Sequence, residues 1–164
     1  MDKTATWRTV SVSPAATELL GEQIGATLRG GEVIELVSDL GGGKTTFVRG
    51  LARGLGSGDK VASPTFTISR QYTAGGLTLH HFDFYRLTEP GIVADELAEV
   101  AADPQAIVVV EWATIAAAAL PPDKVTIVFT PTTEESREIA ITYPASRDYL
   151  IQRNTSRAHT KHSD

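Results

Sequence analysis

The chain has 164 residues and a mass of 17.5 kDa, which is the size of one domain at roughly 100–200 residues each. Its 15 Lys plus Arg against 20 Asp plus Glu give a net charge of −5, which argues against a broad phosphate-neutralising surface. Cysteine is absent, excluding disulfides, zinc fingers and thiol catalysis. No apolar run reaches the ~18 residues of a membrane span and no secretory signal is evident, so we expect a cytoplasmic single-domain protein.

The N-terminal half predicts a helix, a strand and a second helix. Ser13 suits the first helix's N-cap and Pro14 its first turn. An apolar stripe and two terminating glycines follow: Leu20, Ile24, Leu28 and Gly30–Gly31. The run Val33–Val37 predicts a buried strand, followed by a glycine-rich loop. A second amphipathic helix is expected over Lys44–Leu55, with Gly56 placed to end it.

The rest of the chain predicts further strands and shorter helices. A hairpin is expected from Phe66–Tyr72 and Leu77–Phe82, and a weak helix over Val93–Ala101. The unbroken apolar run Ile107–Val110 predicts a strand buried on both faces, as in a parallel sheet. An alanine-rich helical segment at 113–120 and half-exposed strands near 125–129 and 139–143 complete the fold. We expect one domain over 1–144 and a polar, frayed or disordered tail over 145–164.

The strongest functional signal lies between the first strand and the second helix. It is the string Ser38-Asp39-Leu40-Gly41-Gly42-Gly43-Lys44-Thr45-Thr46. This strand–loop–helix context favours a phosphate-binding loop over a glycine-rich turn that merely caps a helix. Successive backbone N–H groups and the helix N-terminus would face phosphate oxygens, Lys44 would bridge the β- and γ-phosphates, and the Thr45 hydroxyl would bind Mg²⁺. Ser38 replaces the first glycine of the motif, which is compatible with binding if its φ is negative.

Two carboxylates are candidates for the acidic side of such a site. Glu111 ends the apolar run 107–110, and Asp83 ends the run 77–82. Phosphate-loop enzymes hold Mg²⁺ and the attacking water with acids at strand ends, although a strand-end Glu that caps the next helix is the alternative for Glu111. A transition-metal site of His80, His81 and Asp83 is disfavoured, because neighbouring residues on a strand point to opposite faces.

Three weaker candidates surround these motifs. Hydroxyls of Ser63-Pro64-Thr65-Phe66-Thr67 could contact the γ-phosphate or position water, although composition alone favours a plain strand entry. Trp112 could flank the base or belong to the core. Arg137 could stack on a base or pair with Glu135 or Glu138.

Together the motifs resemble the TsaE (YjeE) family. The resemblance covers about Ser13 to Tyr143 and has four parts in order: Ser38–Leu51, Ser63–Thr67, His81–Leu87 and Glu111–Trp112. It implies an α/β fold, a P-loop NTPase-like three-layer sandwich with a central, mostly parallel β-sheet, some antiparallel strands and flanking helices. The departures from the family pattern are Ser38, Phe84 in place of the common leucine, and a weakly matched segment, 91–100.

The resemblance also implies an ATPase of tRNA modification. In that family the protein docks onto the TsaB–TsaD pair, which transfers threonylcarbamoyl to adenosine 37 of tRNAs reading codons that begin with A, and ATP hydrolysis resets the complex. Such a protein would meet tRNA only through the complex, and no DNA or membrane.

The family's roles transfer to individual residues of this chain. ATP would contact Leu40, Gly41, Gly42, Gly43, Lys44, Thr45, Thr46, Trp112 and Arg137. Mg²⁺ would contact Thr45, Glu111 and Asp83. Catalysis would depend on Lys44, on Asp83 as the carboxylate for hydrolysis, and on Thr65 on the γ-phosphate side.

Two rival functions share the phosphate loop. A small-molecule or nucleotide kinase would need an acceptor pocket and an arginine-bearing lid, and no lid-like segment is evident. A nucleotide-dependent assembly module would bind ATP without needing hydrolysis. No arginine finger is assignable, although Arg49, Arg70 and Arg86 are available, so hydrolysis by the isolated protein is expected to be slow.

Overall fold

The computed structural model describes residues 3–39, 43–61, 69–85, 87–89 and 91–152. Within these ranges the strands are β1 (Thr4–Ser11), β2 (Val33–Val37), β3 (Ser69–Ala74), β4 (Leu77–Asp83), β5 (Ala106–Glu111), β6 (Val125–Pro131) and β7 (Arg137–Pro144). The α-helices are α1 (Pro14–Gly25), α2 (Lys44–Leu55) and α3 (Gly91–Ala101), and two 3₁₀ helices span Ala113–Ala119 and Ala145–Leu150. No helix in these ranges is both long and apolar enough to cross a membrane.

The strands form one sheet in the order β1-β7-β6-β2-β5-β4-β3. The four central strands β6, β2, β5 and β4 are mutually parallel, whereas the pairings at both ends are antiparallel. Because β7 opposes both β6 and β1, strand β1 runs in the same direction as the central four. The expected α/β fold with a mostly parallel sheet is confirmed.

Helices cover both faces of the sheet. On one face, α1 and α2 bury a core that includes Ile34, Leu36 and Ile127. On the other face, Leu97 of α3 and the first 3₁₀ helix pack against Phe82 and Val110. All six residues of β5 are buried, as expected for a central parallel strand with a helix layer on each side.

Helix α2 is held against α1 by close backbone contact. Four glycines line this contact: Gly21 and Gly25 on α1, and Gly50 and Gly54 on α2. A β-carbon at any of them would collide with a backbone carbonyl oxygen of the other helix. The two helices therefore approach as closely as glycine alone permits, and the start of α2 is fixed relative to the sheet.

Helix α1 is shorter than its apolar stripe predicted. Ser13 caps it as expected, accepting a hydrogen bond from the Ala16 N–H at 3.1 Å. The helix ends at Gly25 rather than at Gly30, and the Thr27 hydroxyl donates to the Ile24 carbonyl at 2.7 Å. Leu28 is nevertheless buried, so the stripe correctly identified a core position that lies outside the helix.

Two segments differ from the sequence expectation. Strand β1 was not predicted because it lies at the edge of the sheet, where most of its side chains are exposed. The tail expected to fray from Ala145 instead forms a 3₁₀ helix, and Leu150 and Ile151 are buried against the core. Arg147 ties this segment down by donating to the Gly31 carbonyl at 3.1 Å. The expectation of disorder is therefore wrong for 145–152, and residues 153–164 lie outside the described ranges.

We predict that Gly50→Ala destabilises the protein. Alanine normally stabilises an unconstrained helix position by about 1 kcal/mol relative to glycine, but here its β-carbon would meet the Glu18 carbonyl oxygen. Overpacking of this kind costs about 1–3 kcal/mol of the free energy of unfolding, measurable by urea denaturation. The control is Gly58→Ala, where a β-carbon meets open space. Equal stability of the two variants would contradict close packing of α1 on α2.

Candidate functional site

The loop between β2 and α2 presents an uncapped helix start. Gly43 is the N-cap of α2 with φ 93°, and no side chain caps it. A left-handed φ favours glycine, which explains the residue type at the point where the chain turns into the helix. The first N–H groups of a helix have no partner within it, so this terminus suits an anion. Thr45 and Thr46 lie in the first turn, both half-buried.

Lys44 is the first residue of α2, and its side chain is buried at 8% exposure. Its Nζ donates to the Ser38 carbonyl at 3.2 Å and lies 3.8 Å from Oε1 of Glu111. Ser38 contributes its backbone carbonyl to this contact, and its φ is negative, because Trp112 is the one described residue other than glycine with a positive φ. Serine can therefore replace the first glycine of the motif without backbone strain.

Glu111 ends β5 and is itself buried. Its register partners are Leu36 on β2 and Asp83 on β4, so the ends of three neighbouring parallel strands are aligned. Residues in register on parallel strands share a face, so Asp83 and Glu111 lie side by side. The structure therefore brings together three residues predicted from the sequence: Lys44, Asp83 and Glu111.

Burial and the neighbouring carboxyl of Glu111 make a negative charge on Asp83 costly. Burial raises the pKa of the Asp83 carboxyl above its usual value, and the adjacent Glu111 raises it further. The Tyr85 N–H, which donates to Oδ1 of Asp83 at 3.0 Å, opposes this rise, as do His81 and Lys44. A paired carboxylate site of this kind favours binding of a cation.

The site also contains a histidine that sequence reasoning set aside. His81 is fully buried, and its Nε2 lies 2.8 Å from Oε2 of Glu111. The sequence indicates no role for it beyond a disfavoured metal site with His80, which lies on the other face of β4, and its place at the start of the motif His81–Leu87. The useful signal was its spacing two residues before Asp83, since alternate residues of a strand share a face.

Trp112 lies directly beside the buried ammonium. Its ring is 4.7 Å from Nζ of Lys44 and 5.1 Å, centroid to centroid, from the ring of Tyr85. Trp112 is 36% exposed and Tyr85 48%, so the pair forms an aromatic surface at the rim of the site. A flat ligand could stack on this exposed pair of rings.

The remaining predicted residues are placed less directly. Nη1 of Arg137 donates to the carbonyls of Thr133, Glu134 and Ser136 at 2.9–3.1 Å, which ties it to the β6–β7 turn. Its nucleotide role stays a prediction. The roles of Leu40, Gly41, Gly42 and Thr65, with the segment 63–67, fall outside the described residues.

The side chains of the site that could bind a metal ion are few, and they offer mainly oxygen atoms. Among the described residues, no group of three or more His, Asp or Glu side chains is arranged to hold a metal ion. Mg²⁺ commonly uses only one or two carboxylates, with substrate phosphates and water completing its octahedron. Asp83, Glu111 and the Thr45 hydroxyl fit that chemistry.

We predict that Asp83→Asn stabilises the magnesium-free protein at neutral pH. The fold raises the pKa of this carboxyl, so ionisation costs stability as pH rises through the interval between its unfolded and folded values. Asn keeps an acceptor for the Tyr85 N–H but carries no charge. The gain in Tm, measured in EDTA, should be small below about pH 4, grow with pH, and level off.

A matched control exists for this substitution. Asp103 also accepts the N–H two residues ahead, from Gln105 at 2.9 Å, but it is exposed and lies in the connection between α3 and β5, outside the sheet. Asp103→Asn should lack the pH-dependent gain. An identical gain in both variants would show that the effect does not come from the Asp83–Glu111 pair.

Comparison with known proteins places the chain in a family. The family model described as "Threonylcarbamoyl adenosine biosynthesis protein TsaE" matches residues 11–139. The tRNA threonylcarbamoyladenosine biosynthesis protein TsaE of Bacillus subtilis is 37% identical over 155 residues, covering 92% of this chain and 93% of its own length. That of Treponema pallidum is 39% identical over 134 residues, covering 82% and 98%.

A solved structure agrees with these sequence matches. The crystal structure of Bacillus subtilis YdiB superposes with a TM-score of 0.70 and 33% identity, covering 97% of this chain and 98% of that one. Family model, curated relatives and fold all point the same way. The chain belongs to the TsaE family of threonylcarbamoyladenosine biosynthesis proteins.

Proposed function

We propose that this protein binds ATP with Mg²⁺ and hydrolyses it during formation of threonylcarbamoyladenosine at position 37 of tRNAs that read codons starting with A. The observation that carries the proposal is a buried lysine, Lys44, at the start of α2 and 3.8 Å from Glu111 at the end of β5. Family membership supports the pathway. By the family resemblance, TsaB and TsaD are the partners, and hydrolysis resets their transfer complex.

Phosphate binding rests on the loop and on the first turn of α2. The residues from Leu40 to Thr46 would surround the triphosphate with backbone N–H groups, and the helix N-terminus adds its partial positive charge. Lys44 places a full charge at the same end of the helix. Because it is buried, its attraction for a phosphate is less screened than at the surface.

Metal binding rests on oxygen ligands at two strand ends and one helix start. Thr45, Glu111 and Asp83 would hold Mg²⁺, which when bound neutralises charge on the phosphate oxygens. A cation beside Asp83 and Glu111 would also offset the burial and the repulsion from Glu111 that raise the pKa of Asp83. The paired carboxylates and the buried ammonium together match the charge pattern of a metal–triphosphate complex.

Hydrolysis would proceed by in-line attack of water on the γ-phosphate. Asp83 would orient or deprotonate that water. Lys44 would stabilise the charge that develops on the phosphate oxygens. Thr65 would serve the γ-phosphate side, and Trp112 and Arg137 would contribute around the nucleotide.

We predict that Lys44→Ala abolishes function. Removing a preorganised charge of this kind should lower ATP hydrolysis about 10²–10³-fold, and tRNA from cells that carry the variant should lack threonylcarbamoyladenosine. Mass spectrometry of tRNA nucleosides measures this. Lys60→Ala, which removes an exposed lysine, is the charge-matched control. Normal modification in the Lys44 variant would overturn the assignment.

We also predict slow turnover by the isolated protein. Of the candidate arginine fingers, Arg49 and Arg70 are exposed on α2 and β3, and Arg86 lies outside the described residues. A finger supplied at the γ-phosphate is worth about 10³–10⁵-fold in rate. ATP hydrolysis measured with purified TsaB and TsaD should therefore exceed that of the protein alone. Equal rates would contradict a site that is completed by its partners.

A further inference from the structure

The buried imidazole of His81 contacts the acidic centre of the site. Its Nε2 lies 2.8 Å from Oε2 of Glu111, and the two side chains are 0% and 4% exposed. A carboxylate oxygen only accepts, so Nε2 of His81 is the donor. One oxygen of Glu111 is therefore fixed by a histidine that reaches it from the adjacent strand.

The other oxygen of Glu111 is within ion-pair distance of Lys44 but is not hydrogen-bonded to it. Oε1 lies 3.8 Å from Nζ of Lys44, longer than the 2.7–2.9 Å typical of a charge-assisted N–H···O bond. The ammonium donates instead to the Ser38 carbonyl at 3.2 Å. Lys44 and Glu111 are thus neighbours without a direct hydrogen bond between them.

A direct hydrogen bond between Lys44 and Glu111 would compete with phosphate binding. Both side chains are nearly fully buried, where opposite charges attract strongly and water offers little screening. A lysine locked onto Glu111 would have to break that contact before it could reach a phosphate. The cost would appear directly as lost nucleotide affinity.

We propose that His81 is a positioning residue that prevents this hydrogen bond. By holding Oε2, His81 anchors the Glu111 carboxylate on the β4 side, which leaves Lys44 free for phosphate and Oε1 free for a cation. The inference rests on the proposed function, because it assigns a role within ATP binding. A purely structural role for His81 would affect folding but not the affinity of the folded protein for nucleotide.

Two amide substitutions separate these roles. In His81→Gln the side-chain nitrogen can occupy the place of Nε2 and still donate to Glu111, whereas in His81→Asn it occupies the place of Nδ1 and cannot reach. Calorimetry with ADP in EDTA reads the Lys44–phosphate contact without metal. We expect His81→Asn to weaken ADP binding at least about tenfold, the size of one charge-assisted bond, and His81→Gln to stay within about threefold of wild type.

A second variant tests the mechanism and guards against misfolding. Glu111→Gln removes the charge that would capture Lys44, so E111Q alone and E111Q combined with H81N should bind ADP in EDTA with the same affinity. If the His81→Asn variant does not fold, His81→Leu replaces it, because leucine fills similar space but cannot donate a hydrogen bond. It should show the same loss of ADP affinity that is expected for His81→Asn. Melting curves identify which variants are folded.

The outcomes are distinct for the inference and for the function. If folded His81→Asn binds ADP as wild type does, or if its defect persists unchanged in the Glu111→Gln background, His81 does not act through Glu111 and the inference is wrong. If the wild-type protein itself binds neither ADP nor Mg·ATP, the proposed function fails instead. Loss in His81→Asn, retention in His81→Gln and cancellation by Glu111→Gln support the proposal.

Discussion

The parallel register of β2, β5 and β4 is the constraint on which the site depends. Hydrogen bonding between these strands aligns Leu36, Glu111 and Asp83, so the strands end together at one edge of the sheet. The glycine-rich segment follows β2 at that edge, where Glu111 lies 3.8 Å from Nζ of Lys44. A slip of one residue in β4 would turn Asp83 to the opposite face and separate it from Glu111.

Close packing of α1 against α2 is the second constraint, because it fixes the position of Lys44. The glycine contacts between α1 and α2 fix where α2 starts, and Lys44 is its first residue. Sheet register therefore positions the acids, and helix packing positions the cation. Burial then couples Lys44 to Glu111, because their ammonium and carboxylate are nearly excluded from water and interact with little screening. The fold thus holds charges at distances that an unfolded or loosely packed chain would not keep.

Much of this arrangement was predictable from the sequence. Strand β2 and helix α2 have the bounds that the pattern indicated, because a continuous apolar run and an amphipathic helix flank a glycine-rich loop. Glu111 and Asp83 were predicted from their positions at strand ends. These features depend on residues that are close together along the chain, so a single sequence is enough to predict them.

What could not be predicted depends on distant contacts. Strand β1 is stabilised by pairing with β7, at the far end of the described chain, and its own exposed side chains give little signal. The segment 145–152 is ordered by Arg147 reaching Gly31 and by two buried apolar residues in a polar stretch. The contact of His81 with Glu111 depends on the pairing of β4 with β5, which composition and spacing alone do not reveal.

The central claim is that Lys44, Glu111 and Asp83 face one metal–triphosphate complex. Its most direct test is a crystal structure with a non-hydrolysable ATP analogue and Mn²⁺ in place of Mg²⁺, with the metal located by its anomalous scattering. The account predicts a phosphate oxygen within hydrogen-bonding distance of Nζ of Lys44 and the anomalous peak beside Glu111. A nucleotide bound elsewhere on the molecule, or a peak remote from both carboxylates, would contradict it.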